Sequence, residues 1–196
     1  MLKNIHAILL AAGSSRRMGE LNKLLLPVRG QAMLRDRAEM LLTTQISGLT
    51  VVLGYAARHS AQVLQGLPVT QVFNPDYLSG RMSSVHWGLQ QAPAAAGYLL
   101  CLADQVWLQA EEVNFLLTAF AQAAPERILV PEFEGQRGNP VLLSAQHRAA
   151  VLAFREQGGC RAFIATHPQY VTRVAMPNAH VLQDIDSPED YAALSG

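Results

Sequence analysis

The sequence predicts an α/β fold: a mostly parallel sheet with helices on both faces, in a single domain covering residues 1–196. Three observations predict it. Short apolar runs recur along the chain and alternate with stretches of helical period, the pattern of parallel strands joined by crossover helices. Half of the 196 residues are apolar and 15% are charged, so the chain can bury a sizeable core. No repeat, low-complexity linker or composition break divides it, and the Ala-rich segment 93–97 is too short to separate domains.

The elements follow in order. Ile5 to Leu10 is a compact apolar run ended by Ala11-Ala12-Gly13-Ser14-Ser15. Leu34, Ala38, Leu41, Leu42 and Gln45 lie at helix-face spacing. The run Thr50 to Leu53 stops at Gly54, and an amphipathic stretch follows from Ala56 to Leu64. Val69 to Phe73 reads as a strand closed by the turn signal Asn74-Pro75-Asp76. A helix is expected from Met82 to Gln91, ending at Pro93. Tyr98 to Ala103 is the next strand, followed by a helix from Glu111 to Gln122. Ile128 to Val130 and Val141 to Leu143 flank a loop at residues 135–140. The tail carries a helix near Gln146 to Phe154, a strand near Tyr170 to Ala175 and a closing segment at Val181-Leu182.

Composition excludes some functions. Fifteen Lys and Arg balance fifteen Asp and Glu, whereas proteins that coat nucleic acid or anionic membrane usually carry a basic excess. The balance is nonetheless uneven: residues 1–98 hold nine basic and four acidic residues, and residues 99–196 hold six and eleven. Such a split suits one small, highly charged ligand. Cys101 and Cys160 are too far apart for a zinc site or a disulfide framework, and Cys101 reads as a buried hydrophobe. The six histidines show no metal spacing. No signal-peptide pattern opens the sequence and no apolar run approaches the roughly 20 residues of a membrane span. A cytoplasmic protein is the expectation.

In open α/β sheets ligands bind beyond the C-terminal ends of strands. The first such loop runs from Leu10 through Gly13, Arg16, Arg17, Gly19 and Lys23 to Pro27. Gly13 and Gly19 permit close backbone approach, and exposed N–H groups there can cradle phosphate oxygens. The glycine spacing fits neither a dinucleotide fingerprint nor a P-loop. Asp104 is the one carboxylate between Leu78 and Ala110, and it directly follows an apolar strand. It reads either as a magnesium ligand or as a helix N-cap or turn residue. Asp184-Ile185-Asp186-Ser187-Pro188 reads as a plain helix start, with Ser187 at N-cap and Pro188 at the first helical position.

Leu10-Ala11-Ala12-Gly13 with Ser15, Arg17-Met18-Gly19, Lys23 and Leu25-Leu26-Pro27 resembles the signature of the nucleotidyltransferases that include sugar-nucleotide pyrophosphorylases and molybdenum cofactor nucleotidyltransferases. Later segments extend the resemblance over nearly the whole chain. Asn74-Pro75 with Ser79 to Val85, then Leu102-Ala103-Asp104-Gln105, Gly138-Asn139-Pro140-Val141 and Asp184 to Asp190, are similar to the molybdenum cofactor cytidylyltransferase branch of the MobA-like family. Ala12, where the guanylyltransferase branch typically has Gly, favours CTP as donor. The resemblance implies a Rossmann-like three-layer sandwich of the nucleotide-diphospho-sugar transferase type. It also implies a magnesium-dependent enzyme that moves CMP from CTP to the terminal phosphate of a molybdopterin-type cofactor.

Its implied site residues are Arg17, Lys23 and Asp104 for catalysis. Leu10, Ala11, Ala12, Gly13, Arg17, Lys23, Asn74, Gly80, Ser83 and Ser84 are implied for the nucleotide, and Asp104 and Asp186 for Mg2+. Gln105, Asn139 and Arg161 are implied for the acceptor. Ser83 and Ser84 read equally as helix caps. The chain departs from the family pattern at Val106 (usually Pro), at Asn139 (usually His) and at Gly158-Gly159-Cys160-Arg161-Ala162, which lacks an acidic residue. Those departures leave the triphosphate side intact. They keep open another phosphorylated acceptor such as a sugar phosphate, GTP as donor, or a non-catalytic nucleotide- or cofactor-binding factor that contacts a molybdoenzyme or its maturation machinery.

Overall fold

The computed structural model describes residues 4–15, 22–155 and 159–195. The chain opens with β1 (Ile5–Ala11), a small hairpin of β2 (Pro27–Val28) and β3 (Gln31–Ala32), and α1 (Met33–Leu42). Then come β4 (Gly48–Leu53), α2 (Ala57–Val63), β5 (Thr70–Phe73), α3 (Arg81–Gln91), β6 (Gly97–Leu102) and α4 (Ala110–Gln122). The second half holds β7 (Ile128–Phe133), β8 (Gln136–Arg137), β9 (Val141–Ser144), α5 (Arg148–Ala153), α6 (Gly159–Ala165), β10 (Val171–Ala175) and α7 (Pro188–Ala192).

One sheet runs in the order β10-β7-β9-β6-β1-β4-β5, with β8 paired to β7. β1 pairs parallel with both β4 and β6, β4 with β5, and β10 with β7. β9 is antiparallel to both its neighbours. The expected strands therefore form, and the mostly parallel sheet with them. Two features differ from the sequence reading. Gln136–Arg137, inside the expected loop, pairs back onto Glu132 and Phe133. Helix α6 forms where Gly158-Gly159 gave no helical signal, and Phe163 and Ile164 bury its inner face.

The pleat divides β1 between two cores, because successive side chains point to opposite faces. Ile5, Ala7, Leu9 and Ala11 pack with Leu34, Ala38 and Leu41 of α1 and Leu116 and Phe120 of α4. Ile8 faces the other way, against Val85 and Leu89 of α3, Val151 of α5 and Phe163 of α6. Both layers pack closely. A Cβ on Gly88 would lie 2.4 Å from Ile8 Cγ2 and 3.0 Å from Val52 Cγ2, so α3 rests on β1 and β4 with nothing between.

Connectivity places the cleft. From β1 the chain moves outward to β4 and β5, then returns to β6 on the opposite side of β1. The connections after β1 and β6 diverge there, which opens a crevice at their C-terminal ends. Gly88→Ala is expected to lower the unfolding free energy by about 1–3 kcal/mol, read by urea denaturation. Gln90→Ala, on the exposed side of the same helix, should stay within about 0.5 kcal/mol. Equal stabilities would contradict the close helix–sheet contact.

Candidate active site

Three distant segments meet at the crevice. Lys23 follows the loop after β1 and opens a short 3-10 turn, Lys23–Leu25, whose preceding Asn22 side chain accepts from the Leu24 N–H. Its Nζ donates to Asp104 Oδ2 at 2.7 Å, to Asp186 Oδ1 at 3.0 Å and to the Ile185 carbonyl. The Ile185 N–H in turn donates to the Asp104 carbonyl at 3.0 Å, which ties the end of β6 to the segment before α7. Burial alone would lower the Lys23 pKa, but the carboxylates of Asp104 and Asp186 outweigh it and raise it.

Asp184 joins the cluster. One carboxylate oxygen from each of Asp104, Asp184 and Asp186 lies within 4.8 Å of the others. Burial first, then the charges of Asp104 and Asp186, push the Asp184 carboxyl above its ordinary range. Sequence reasoning singled out Asp104 and Asp186 but not Asp184. The signal was available: in an extended segment residues i and i+2 share a face, and Ile185 between them is fully buried. Asp104 Oδ1 is buried and, among the described residues, has no hydrogen-bond partner. An orphaned carboxylate oxygen beside two further carboxylates is a donor set suited to a hard divalent cation.

The helix-start reading of residues 184–188 holds beside this. The Ser187 hydroxyl accepts from the Asp190 N–H. The Asp190 carboxylate accepts from the backbone N–H groups of Asp186 and Ser187, which hold it below the usual carboxylate range. Capping and the placement of Asp186 against Lys23 are one arrangement.

A buried network clamps the loop after Asp104. Arg37, 3% exposed, donates from Nη1 to the carbonyls of Gln105 and Leu108. Arg29 donates to the Val106 carbonyl, and Asp36 Oδ2 accepts from both arginines. Gln105 belongs to this support rather than to the acceptor cavity: it is 2% exposed and its amide donates to the Val181 carbonyl.

Three adjoining depressions line the crevice, and Leu10 and Arg81 border all of them. One of about 320 Å³ lies between Ala12, Gly13, Ser14, Gly80 and Ser84. A second of about 320 Å³ holds Lys23, Asp104 and Asp186. A third of about 220 Å³ holds Asn139, Arg161, Arg137 and Cys160. The expected nucleotide and acceptor residues thus fall largely along one continuous cleft. Ala11 is covered within the core. Asn74 is another exception: it is fully buried, its amide donates to Ser83 Oγ and Ser84 Oγ at 2.9 and 3.0 Å, and its carbonyl oxygen accepts from Asp76 N. It shapes the loop that borders the cleft. Gly54 fixes the other wall, since a Cβ there would lie 2.7 Å from Ala12 and from Tyr77. Arg81 was not anticipated, although it follows Gly80 at the first position of α3. Arg17 lies outside the described residues.

Residues 7–172 match the family model described as the MobA-like NTP transferase domain. The chain belongs to that family. This nucleotidyltransferase chain is similar to nicotine blue oxidoreductase of Paenarthrobacter nicotinovorans, 30% identical over 97% of this chain and 96% of the relative. It is also similar to the purine catabolism protein PucB of Bacillus subtilis (strain 168), 29% identical over 94% and 92% of the two chains. In fold it is similar to the Rv0371c protein of Mycobacterium tuberculosis H37Rv, with a TM-score of 0.86 at 23% identity over 99% and 98% of the chains. That protein also has a structure in complex with manganese, at a TM-score of 0.81, 21% identity and 97% coverage of each chain. Trp87 donates to Asp76 Oδ2 at 3.3 Å, and Trp107 packs on the first core. Among the described residues no helix is long and apolar enough to cross a membrane.

Removing Arg37 leaves buried Asp36 with the half-exposed Arg29 alone and takes the donor from the carbonyls of Gln105 and Leu108. Arg37→Met is expected to cost about 3–5 kcal/mol, measured by urea unfolding, and a loss below about 1 kcal/mol would show that the clamp carries little.

Proposed function

We propose that this nucleotidyltransferase transfers CMP from CTP to the terminal phosphate of a molybdopterin-type cofactor and releases pyrophosphate. The observation that carries the reading is the meeting of Lys23 with Asp104, Asp184 and Asp186 at the switch point of the sheet. Three carboxylates against one ammonium leave two formal negative charges in excess. That excess, with the unpartnered Asp104 oxygen, suits a divalent cation, and the manganese complex of the Mycobacterium neighbour supports one. Mg2+ is the ion we propose, held by Asp104 and Asp186 with Asp184 beside them. When bound it supplies positive charge at the triphosphate.

The chain's own residues do the rest. The backbone from Leu10 to Gly13 lies against the base and ribose, with Gly80 and Ser84 opposite. Arg17 would hold phosphate oxygens, and Lys23, whose three N–H donors go to Asp104, Asp186 and the Ile185 carbonyl, would turn to them once a cation takes those carboxylates. The acceptor phosphate, already ionised, attacks the α-phosphorus in line, so no protein base is required. An oxygen–phosphorus bond forms and the bond to the β-phosphate oxygen breaks. The cations keep the charge of the departing pyrophosphate.

A second reading, redox turnover of a heteroaromatic compound, is favoured by the name of the Paenarthrobacter relative. One set of assays separates the readings: each of the four nucleoside triphosphates with magnesium and molybdopterin, followed by pyrophosphate release, and nicotine blue with a hydride donor such as a reduced nicotinamide, followed by its absorbance. CTP consumption with pyrophosphate release is expected, and Asp104→Ala should slow it by about 100-fold or more. Near-wild-type release in Asp104→Ala would sink the metal assignment. Nucleotide binding without release points to a non-catalytic factor. Lys23→Met is expected to weaken CTP binding roughly 10- to 100-fold, and an unchanged affinity by calorimetry would refute its phosphate role.

A further inference from the structure

We propose that Arg81, Arg137 and Arg161 form a second anion subsite, distinct from the triphosphate residues, that takes the phosphate ester of an acceptor with an apolar body. The inference rests on the reading of this chain as a transferase with two anionic substrates.

The three side chains come from separate elements: Arg81 from the first turn of α3, Arg137 from β8 and Arg161 from α6. They converge on the cavity of about 220 Å³ whose floor is Val85, Leu100, Leu102 and Val141. Most arginines of the chain are committed elsewhere. Arg29 and Arg37 clamp the loop after Asp104, Arg127 and Arg148 donate to backbone carbonyls, and Arg173 pairs with Glu132. Among the described residues, the side chains of Arg81, Arg137 and Arg161 have no hydrogen-bond or ion-pair partner.

No carboxylate among the described residues lines this cavity. Its remaining ionisable group is Cys160, whose thiol burial pushes up to about 11, so it stays neutral. Burial first, and then the neighbouring charges of Arg161 and Arg173, depress the Arg137 pKa. Guanidiniums gathered over an apolar floor without a counter-charge repel one another until an anion arrives. Their planar forks match phosphate oxygens pairwise, and the aliphatic floor suits an uncharged body rather than a second charged group. Arg81 also borders the two depressions that hold the nucleotide-side residues. It stands where the acceptor phosphate and the triphosphate would approach each other, and a cation shared there screens their mutual repulsion.

Phenyl phosphate, a monophosphate on a flat apolar ring, is the probe, and calorimetry with no nucleotide or metal present is the measurement. Binding to the wild-type chain in the millimolar range or tighter is expected. Arg137→Gln and Arg161→Gln should each weaken it about tenfold or more while leaving CTP binding, measured separately with magnesium, unchanged. That retained CTP binding also reports intact folding. Arg81→Gln should weaken both ligands. Failure of phenyl phosphate to bind the wild type, or binding indifferent to Arg137→Gln and Arg161→Gln, overturns the subsite. Phenyl phosphate binding of the expected pattern in a chain that does not bind CTP supports the subsite and counts against the proposed reaction, so the two fail separately.

Discussion

The ammonium of Lys23, held among three carboxylates at the ends of β1 and β6, is the constraint on which the rest of the structure depends. Charges withdrawn from water are costly, and attraction between them repays the loss only where geometry is tight. The chain therefore braces every member. Asp104 is fixed by its backbone bond to Ile185 and by the arginine clamp on the following loop. Asp186 is fixed by the capping of α7 through Ser187 and Asp190. Lys23 is fixed by the turn that Asn22 starts. Three segments far apart in sequence become one cradle.

This cradle explains the divided charge of the chain. The basic half supplies Lys23, and the acidic half supplies the three aspartates. Among the described residues, neutrality overall hides a local excess of negative charge on one wall of the cleft and guanidiniums without a side-chain partner on another. A site that handled the proposed metal ion and two phosphorylated substrates would use both signs at close range, and the fold brings them within one cleft by returning β6 to the side of β1.

Much of this was legible in the sequence. Apolar runs located the central strands because buried parallel strands are apolar on both faces. Asp104 stood out because a carboxylate directly after such a strand has few structural uses. Side-chain direction was harder to read. Asn74 and Gln105 sit in motifs of the right type, yet both turn inward, and each spends its amide on neighbouring segments. Asp184 was overlooked although it shares a face with Asp186 across the buried Ile185. Helix α6 was hidden because two glycines at its start erase the local helical signal, and only packing of Phe163 and Ile164 against the sheet restores it.

Manganese binding followed by electron paramagnetic resonance, with CTP present, tests the central claim most directly. The free manganese signal should fall when the wild-type chain is added, and Asp104→Asn should weaken that binding about tenfold or more. Equal manganese affinity in the two proteins would contradict an aspartate-held cation at this site.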